Sequence, residues 1–158
     1  MGTLPNGLRY YIRKNGRPEK RVSMQLAVKA GSVDENDQQL GLAHFLEHMA
    51  FNGTRHYKAG ELIAALEQTG ARMGPHVNAY TSFDETVYMF QLPTDRPGIV
   101  EKGMQGLADF AGGMTLDPQE IDKERGVVIE EWRLGQGAGS RLQEKQFPVL
   151  LRGSRYAD

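Results

Sequence analysis

Residues 40–51 read Leu40-Gly41-Leu42-Ala43-His44-Phe45-Leu46-Glu47-His48-Met49-Ala50-Phe51, and the rest of the chain is organised around them. No proline interrupts the run, and leucine, methionine, alanine and glutamate are good helix formers. As a helix it sets His44 and His48 four residues apart on one face. Two imidazoles so placed converge on one cation. Glu47, three residues after His44, lies on the same side, where its carboxylate reaches a water beside that cation. About one helical turn therefore supplies two neutral nitrogen ligands and one candidate base. A catalytic zinc takes three protein ligands and keeps a fourth position open. The third must come from elsewhere, and a carboxylate is favoured because the chain has no cysteine. Two histidines and one carboxylate keep the site positive, which lowers the pKa of bound water and polarises a substrate carbonyl. The competing reading is a chance grouping on a half-buried helix.

The 158 residues suffice for one domain with a sizeable core. A net charge of -1 gives no electrostatic case for nucleic acid or an anionic membrane, so neither partner is expected. No apolar run approaches membrane-spanning length, and no secretory signal pattern is present. Without cysteine there are no disulfides and no thiolate ligands.

The chain opens with a turn at Asn6-Gly7 and a strand over residues 8–13. Residues 22–30 alternate apolar and polar, as a half-buried antiparallel strand does, and a hairpin with the first strand is expected. Asp34, Glu35 and Asp37 read as a solvated acidic loop. After the histidine helix, Gly53 suits a left-handed helix end, and residues 59–69 form an amphipathic helix. Residues 77–82 and 86–92 read as strands. A helix over 98–112 is expected to bury Val100, Met104, Leu107 and Phe110. Asp117 caps a later helix, with Pro118 at its first position, running to Trp132, which reads as core. The glycine-rich residues 135–139 read as a flexible joint, followed by a helix that Pro148 disturbs. His56 and His76 read as surface or loop histidines. The pattern predicts an α+β fold, a mixed, largely antiparallel sheet with helices packed on one face.

The acidic candidates for the third ligand are Glu120, Glu124, Glu130 and Glu131. Glu124 and Glu131 are seven residues apart and share a helix face. A solvated helix surface is the ordinary fate of such glutamates.

Several motifs now stand in order: His44-Phe45-Leu46-Glu47-His48, Phe51-Asn52-Gly53-Thr54, Asn78-Ala79-Tyr80-Thr81-Ser82 and Glu124-Arg125-Gly126-Val127-Val128-Ile129-Glu130-Glu131. Together with Leu4-Pro5-Asn6-Gly7-Leu8 and Gly31-Ser32 they resemble the pitrilysin/insulinase family of zinc metallopeptidases, the H-x-x-E-H inverzincins. The resemblance covers nearly the whole chain. It implies one zinc per chain on His44, His48 and Glu131, with Glu47 as general base and Glu124 supporting the site behind the ligands. The interval from His48 to Glu131 is longer than the family usually has, and counting alone favours Glu124. The resemblance also implies a peptide substrate laid along an edge strand at Asn78-Ala79-Tyr80, with Phe51 shaping a pocket or packing in the core. The family's catalytic domain is longer and faces a second half across a chamber. Residues 1–158 are accordingly expected to be one catalytic domain in the N-terminal part of a larger protease, truncated and weak or inactive alone. The missing C-terminal part or a partner half-domain would close the chamber. Similar bacterial sequences are often exported, which points toward the cell envelope. The alternative is a non-catalytic peptide-binding or structural module of the same fold.

Overall fold

The computed structural model describes residues 1–157. Two short strands, β1 (Gly2–Thr3) and β2 (Arg9–Tyr10), pair with each other, Gly2 opposite Tyr10. β3 (Arg21–Val28) follows, then a single 3-10 turn at Ser32–Asp34 and helix α1 (Leu42–Phe51). Helix α2 (Glu61–Glu67) leads to β4 (Val77–Thr81) and β5 (Thr86–Pro93). Three helices close the chain: α3 (Ile99–Gly112), α4 (Pro118–Gly135) and α5 (Ala138–Leu150).

The main sheet has the order β3-β5-β4, antiparallel throughout. The strand read at 8–13 does not pair with β3; only Arg9–Tyr10 is a strand, and its partner is β1. β3 pairs instead with β5, which has the longer run of apolar residues and is buried at six of its eight positions. The hairpin that forms is β4–β5, with Thr81 opposite Thr86.

Side chains alternate across a sheet with period two, and the register sorts them. Met24, Phe90 and Val77 lie side by side on one face, with Val22 and Leu92 on one flank and Leu26, Tyr88 and Ala79 on the other. Helices α1 and α3 pack on the sheet, and Leu62 and Leu66 of α2, with Leu107 and Phe110, complete the core. Phe51 belongs to this core: its ring centroid is 5.1 Å from that of Phe110 and 6.3 Å from that of Tyr88. α3 buries Leu107 and Phe110 as expected and packs Val100 against the core, but Met104 does not turn inward. Ile99, Gly103, Gly106, Leu107 and Phe110 turn inward, while Met104 is 57% exposed. The reason is close approach, since a Cβ on Gly103 would stand 2.5 Å from Leu92 Cδ1 and one on Gly106 2.8 Å from Leu62 Cδ2.

Two further expectations change. Trp132 is exposed, not core. α4 has 18 residues against 10 in α1, so it is about 27 Å long against about 15 Å and its last turns project past the helix beneath. The glycine-rich joint shrinks to Gln136-Gly137, because helix resumes at Ala138 and continues through Pro148. The chain end folds back: the Arg155 guanidinium donates to the Glu35 carbonyl and the Tyr156 hydroxyl to Asp84.

Candidate metal centre

The start of α1 is fixed from upstream. Helix N-termini leave N–H groups without partners, and Gly41 brings no side-chain cap. Glu35 fills the gap, accepting from Gly41 N and Ala43 N at 2.7 Å each. It is buried rather than part of a solvated acidic loop, and its negative charge sits against the positive end of the helix dipole.

From α1 the two imidazoles point at α4. His44 Nε2 and His48 Nε2 are 3.2 Å apart, and Glu131 Oε2 is 3.6 Å from the first and 3.1 Å from the second. Among the described residues this is the one group of three or more histidine or acidic side chains whose ligand atoms converge so closely. A zinc ion about 2.0–2.1 Å from each of three tetrahedral ligands separates them by roughly 3.3 Å, and the three distances bracket that value.

The bond behind His48 suits metal binding as well. His48 Nδ1 lies 2.7 Å from Glu124 Oε1, and a carboxylate only accepts, so the ring carries its proton on Nδ1. In the neutral ring, the form that binds a metal, Nε2 then keeps its lone pair, aimed at the same point as Glu131 Oε2 and the second imidazole. With both rings neutral and their Nε2 atoms unprotonated, the three acceptors repel one another unless a cation lies between them. Glu124 is itself held, its second oxygen accepting from Asn52 Nδ2 at 2.7 Å. The same amide donates to the His48 carbonyl at 3.3 Å. Asn52, four residues beyond His48, thereby ties the end of α1 to α4.

Asp117 accepts from Gln119 N at 2.8 Å and Pro118 opens α4, as its sequence predicts. Ile121, Glu124 and Val128 are half-buried on one stripe, and seven residues, close to two turns, carry that stripe from Glu124 to Glu131. Of the two candidate glutamates, Glu131 meets the Nε2 atoms and Glu124 meets Nδ1. Glu120 instead pairs with Lys123, and Glu130 with Arg133.

Glu47 points to the sheet side of α1. It is 9% exposed, and its Oε2 accepts from Thr81 Oγ1 at 2.6 Å. Burial, and then the charge of Glu47, push the Tyr88 phenol up to about 12, so Tyr88 stays neutral beside it.

β4 is an edge strand, and its ladder decides what the edge offers. Gln91 N donates to His76 O, and Ser82 N to Glu85 O. With the alternation of an antiparallel ladder, Asn78 and Tyr80 turn their backbone groups into β5. Ala79 and Thr81 turn theirs to the open edge. The side chains of Asn78 and Tyr80 are exposed on the far face, Tyr80 donating to Glu85 Oε1 at 2.7 Å.

His56 is less idle than its sequence suggests. Its Nδ1 and backbone N approach the buried Asp109, which also accepts from Thr54 Oγ1 at 2.7 Å and from Gln105. Burial raises the Asp109 carboxyl, but the bonds from Thr54, His56 and Gln105 outweigh it and hold the group below its ordinary 3.8. This knot joins the loop after α1 to α3. His76 lies in a loop, its Nδ1 accepting from Arg72 N. Nothing in the residue pattern assigns roles to Asn52 or Thr81, although each has a signal: Asn52 continues the His44–His48 spacing, and Thr81 puts a hydroxyl on a core-facing strand position.

Comparison with known proteins gives consistent answers. The family model for insulinase (peptidase family M16) matches residues 10–142. The chain is 42% identical over 157 residues to a probable zinc protease, PqqL, of Escherichia coli, covering 99% of this chain and 17% of that protein. The crystal structure of the first half of the periplasmic protease PqqL superposes with a TM-score of 0.94, covering 99% of this chain and 34% of that one. The ferredoxin protease FusC, solved in complex with Arabidopsis ferredoxin, superposes with a TM-score of 0.88 at 31% identity, over 99% of this chain and 17% of that one. The chain thus spans about a sixth of the length of the curated zinc proteases it matches.

Proposed function

Because the chain belongs to the insulinase family, peptidase family M16, we propose that it carries the zinc site and general base of a metalloendopeptidase. The carrying observation is the convergence of His44 Nε2, His48 Nε2 and Glu131 Oε2 within ligand spacing of one cation. In this reading those three residues hold one zinc, and Glu124 fixes the His48 ring through Nδ1. A zinc ion so held supplies Lewis acidity, polarising a carbonyl and making water a better nucleophile.

The chain's own groups do the rest. The edge of β4 takes an extended peptide as an added strand through the N–H and C=O groups of Ala79 and Thr81. Ala79 N, which bonds to its neighbour Asn78 Oδ1 at 3.0 Å, is released for that pairing. Asn78 and Tyr80 meet the peptide from the solvent side. Glu47 accepts the proton of the attacking water and delivers it to the departing amine. Burial of Glu47 keeps bulk water from competing for its carboxylate.

Small proteins or unfolded peptides fit an open strand edge, and the ferredoxin complex of FusC supports that class. Residues 1–158 act in this reading as one unit of a larger protease, whose remaining part closes over the peptide. The test is the longest natural polypeptide containing this sequence, loaded with zinc and given an unstructured peptide. One zinc per chain is expected, with hydrolysis lost on chelation and in Glu47→Gln while zinc is retained. Unchanged hydrolysis by Glu47→Gln would overturn the reading.

A further inference from the structure

We propose that Thr81 is a positioning residue that ties the substrate-bearing edge of β4 to Glu47: its backbone pairs with the peptide while its hydroxyl orients the base. The inference rests on the peptidase reading above and adds a residue to it. A free glutamate side chain has three rotatable bonds, and a base is useful only in the few orientations that reach the attacking water. Thr81 Oγ1 holds one carboxylate oxygen of Glu47 at 2.6 Å, which leaves the other oxygen for that water.

The direction of this bond follows from the protons available. Thr86 Oγ1 stands 3.4 Å from Thr81 Oγ1 and donates to the Ala30 carbonyl at 2.9 Å. The Thr86 proton is therefore committed, and the Thr81 proton goes to Glu47. Thr81 itself is held in place. Ser32 N donates to Ser82 O at 3.1 Å and Val33 N to Phe83 O at 2.9 Å. Gly31 lies so close to those two carbonyls that a Cβ would overlap them. Thr81 is thus the last strand residue before a pinned turn. On the outward side its N–H and C=O face the open edge; on the inward side its hydroxyl faces the base. Placement of the peptide and aim of the carboxylate are set by one residue.

The experiment compares Thr81→Val, Thr81→Ala and Thr81→Ser in the longest natural polypeptide, zinc-loaded, on one unstructured peptide. Valine and alanine keep the backbone but remove the hydroxyl; serine restores it. For valine and alanine kcat falls by about tenfold or more with KM within about threefold, because only the base loses its aim. Serine returns kcat to within about threefold of the parent. Zinc content and the Kd of the peptide for the metal-free protein stay unchanged in all three. Alanine adds no volume, so it carries the test if valine does not fold. Hydroxyl-free variants with parental kcat, serine as slow as valine, or loss of zinc in any folded variant each overturn the proposal. An inactive Glu47→Gln beside an unaffected Thr81→Val removes this inference alone. An active Glu47→Gln removes the peptidase reading, and this inference with it.

Discussion

Replacing Glu124 by alanine separates the two glutamates of α4 by their effect on zinc. In the structure Glu124 accepts from His48 Nδ1 and from Asn52 Nδ2, both at 2.7 Å. Its side chain is 13% exposed and that of His48 19%, so water replaces the lost acceptor poorly. A hydrogen bond to a charged group contributes about 1.5–3 kcal/mol, and every 1.4 kcal/mol is about a tenfold change in binding. Zinc affinity is therefore expected to fall roughly 10- to 100-fold, the range found when the partner of a ligating histidine is removed. Glu131→Ala deletes one of the three proposed ligands, and its affinity should fall much further. Glu124→Gln lies between: its carbonyl still accepts from His48, but its amide faces the amide of Asn52, which must turn over and release the His48 carbonyl. The assay is competition with a chromophoric chelator at fixed pH. Zinc bound by Glu124→Ala as tightly as by the parent would refute the reasoning. Complete loss in Glu124→Ala with retention in Glu131→Ala would make Glu124 the ligand.

Three further outcomes follow from particular contacts. Asp109→Ala leaves Thr54 and His56 without their acceptor and should lower stability by about 1–3 kcal/mol, read as a shift of the urea midpoint. The folded Asp109 carboxyl is held below 3.8, so its contribution is present above that value and is lost as pH falls through the lowered one; the gap between parent and variant should narrow only in strong acid. Gly31→Ala forces a Cβ into the Ser82 and Phe83 carbonyls and should cost about 1–3 kcal/mol, with kcat falling further than KM rises because the turn carries Thr81. Removal of zinc should speed amide exchange across α4 while α3 stays protected, since α4 has no buried residue and α3 has six.

How far the sequence spoke depended on the kind of contact. Helix α1 was legible because its information is local: propensity, spacing and the absence of proline lie within residues 40–51. The start of α4 was legible for the same reason, in Asp117 and Pro118. The long-range partner of β3 was not, because alternation over residues 22–30 marks a strand without saying which neighbour it takes. On the buried side of α3, Leu107 and Phe110 were legible, but Gly103 and Gly106 carry no hydrophobic signal, and it is their lack of a side chain that lets the helix sit against Leu92 and Leu62. Glu35 looked like a solvated acid because its partners, the N–H groups of Gly41 and Ala43, are backbone groups that no residue pattern displays.

The same distinction explains how the site is built. His44, Glu47 and His48 come from one turn of one helix, so their mutual geometry survives wherever α1 forms. Everything that gives the turn a function comes from a distance: Glu124 and Glu131 from α4, Thr81 from the edge strand. The two connections differ in kind. Thr81 rests on the apolar sheet face through Val77 and Ala79, and that face is the core of the molecule. α4 rests on α1 through the half-buried stripe of Ile121, Glu124 and Val128 and through polar bonds to His48 and Asn52. Glu131, at the end of that stripe, is 56% exposed, with no packing to fix its carboxylate. In the proposed reading the base is therefore set by folding of the core, whereas the third ligand depends more on the cation it would bind. In that reading zinc binding would also hold the second half of α4 against α1, which is why exchange across α4 is expected to respond to the metal.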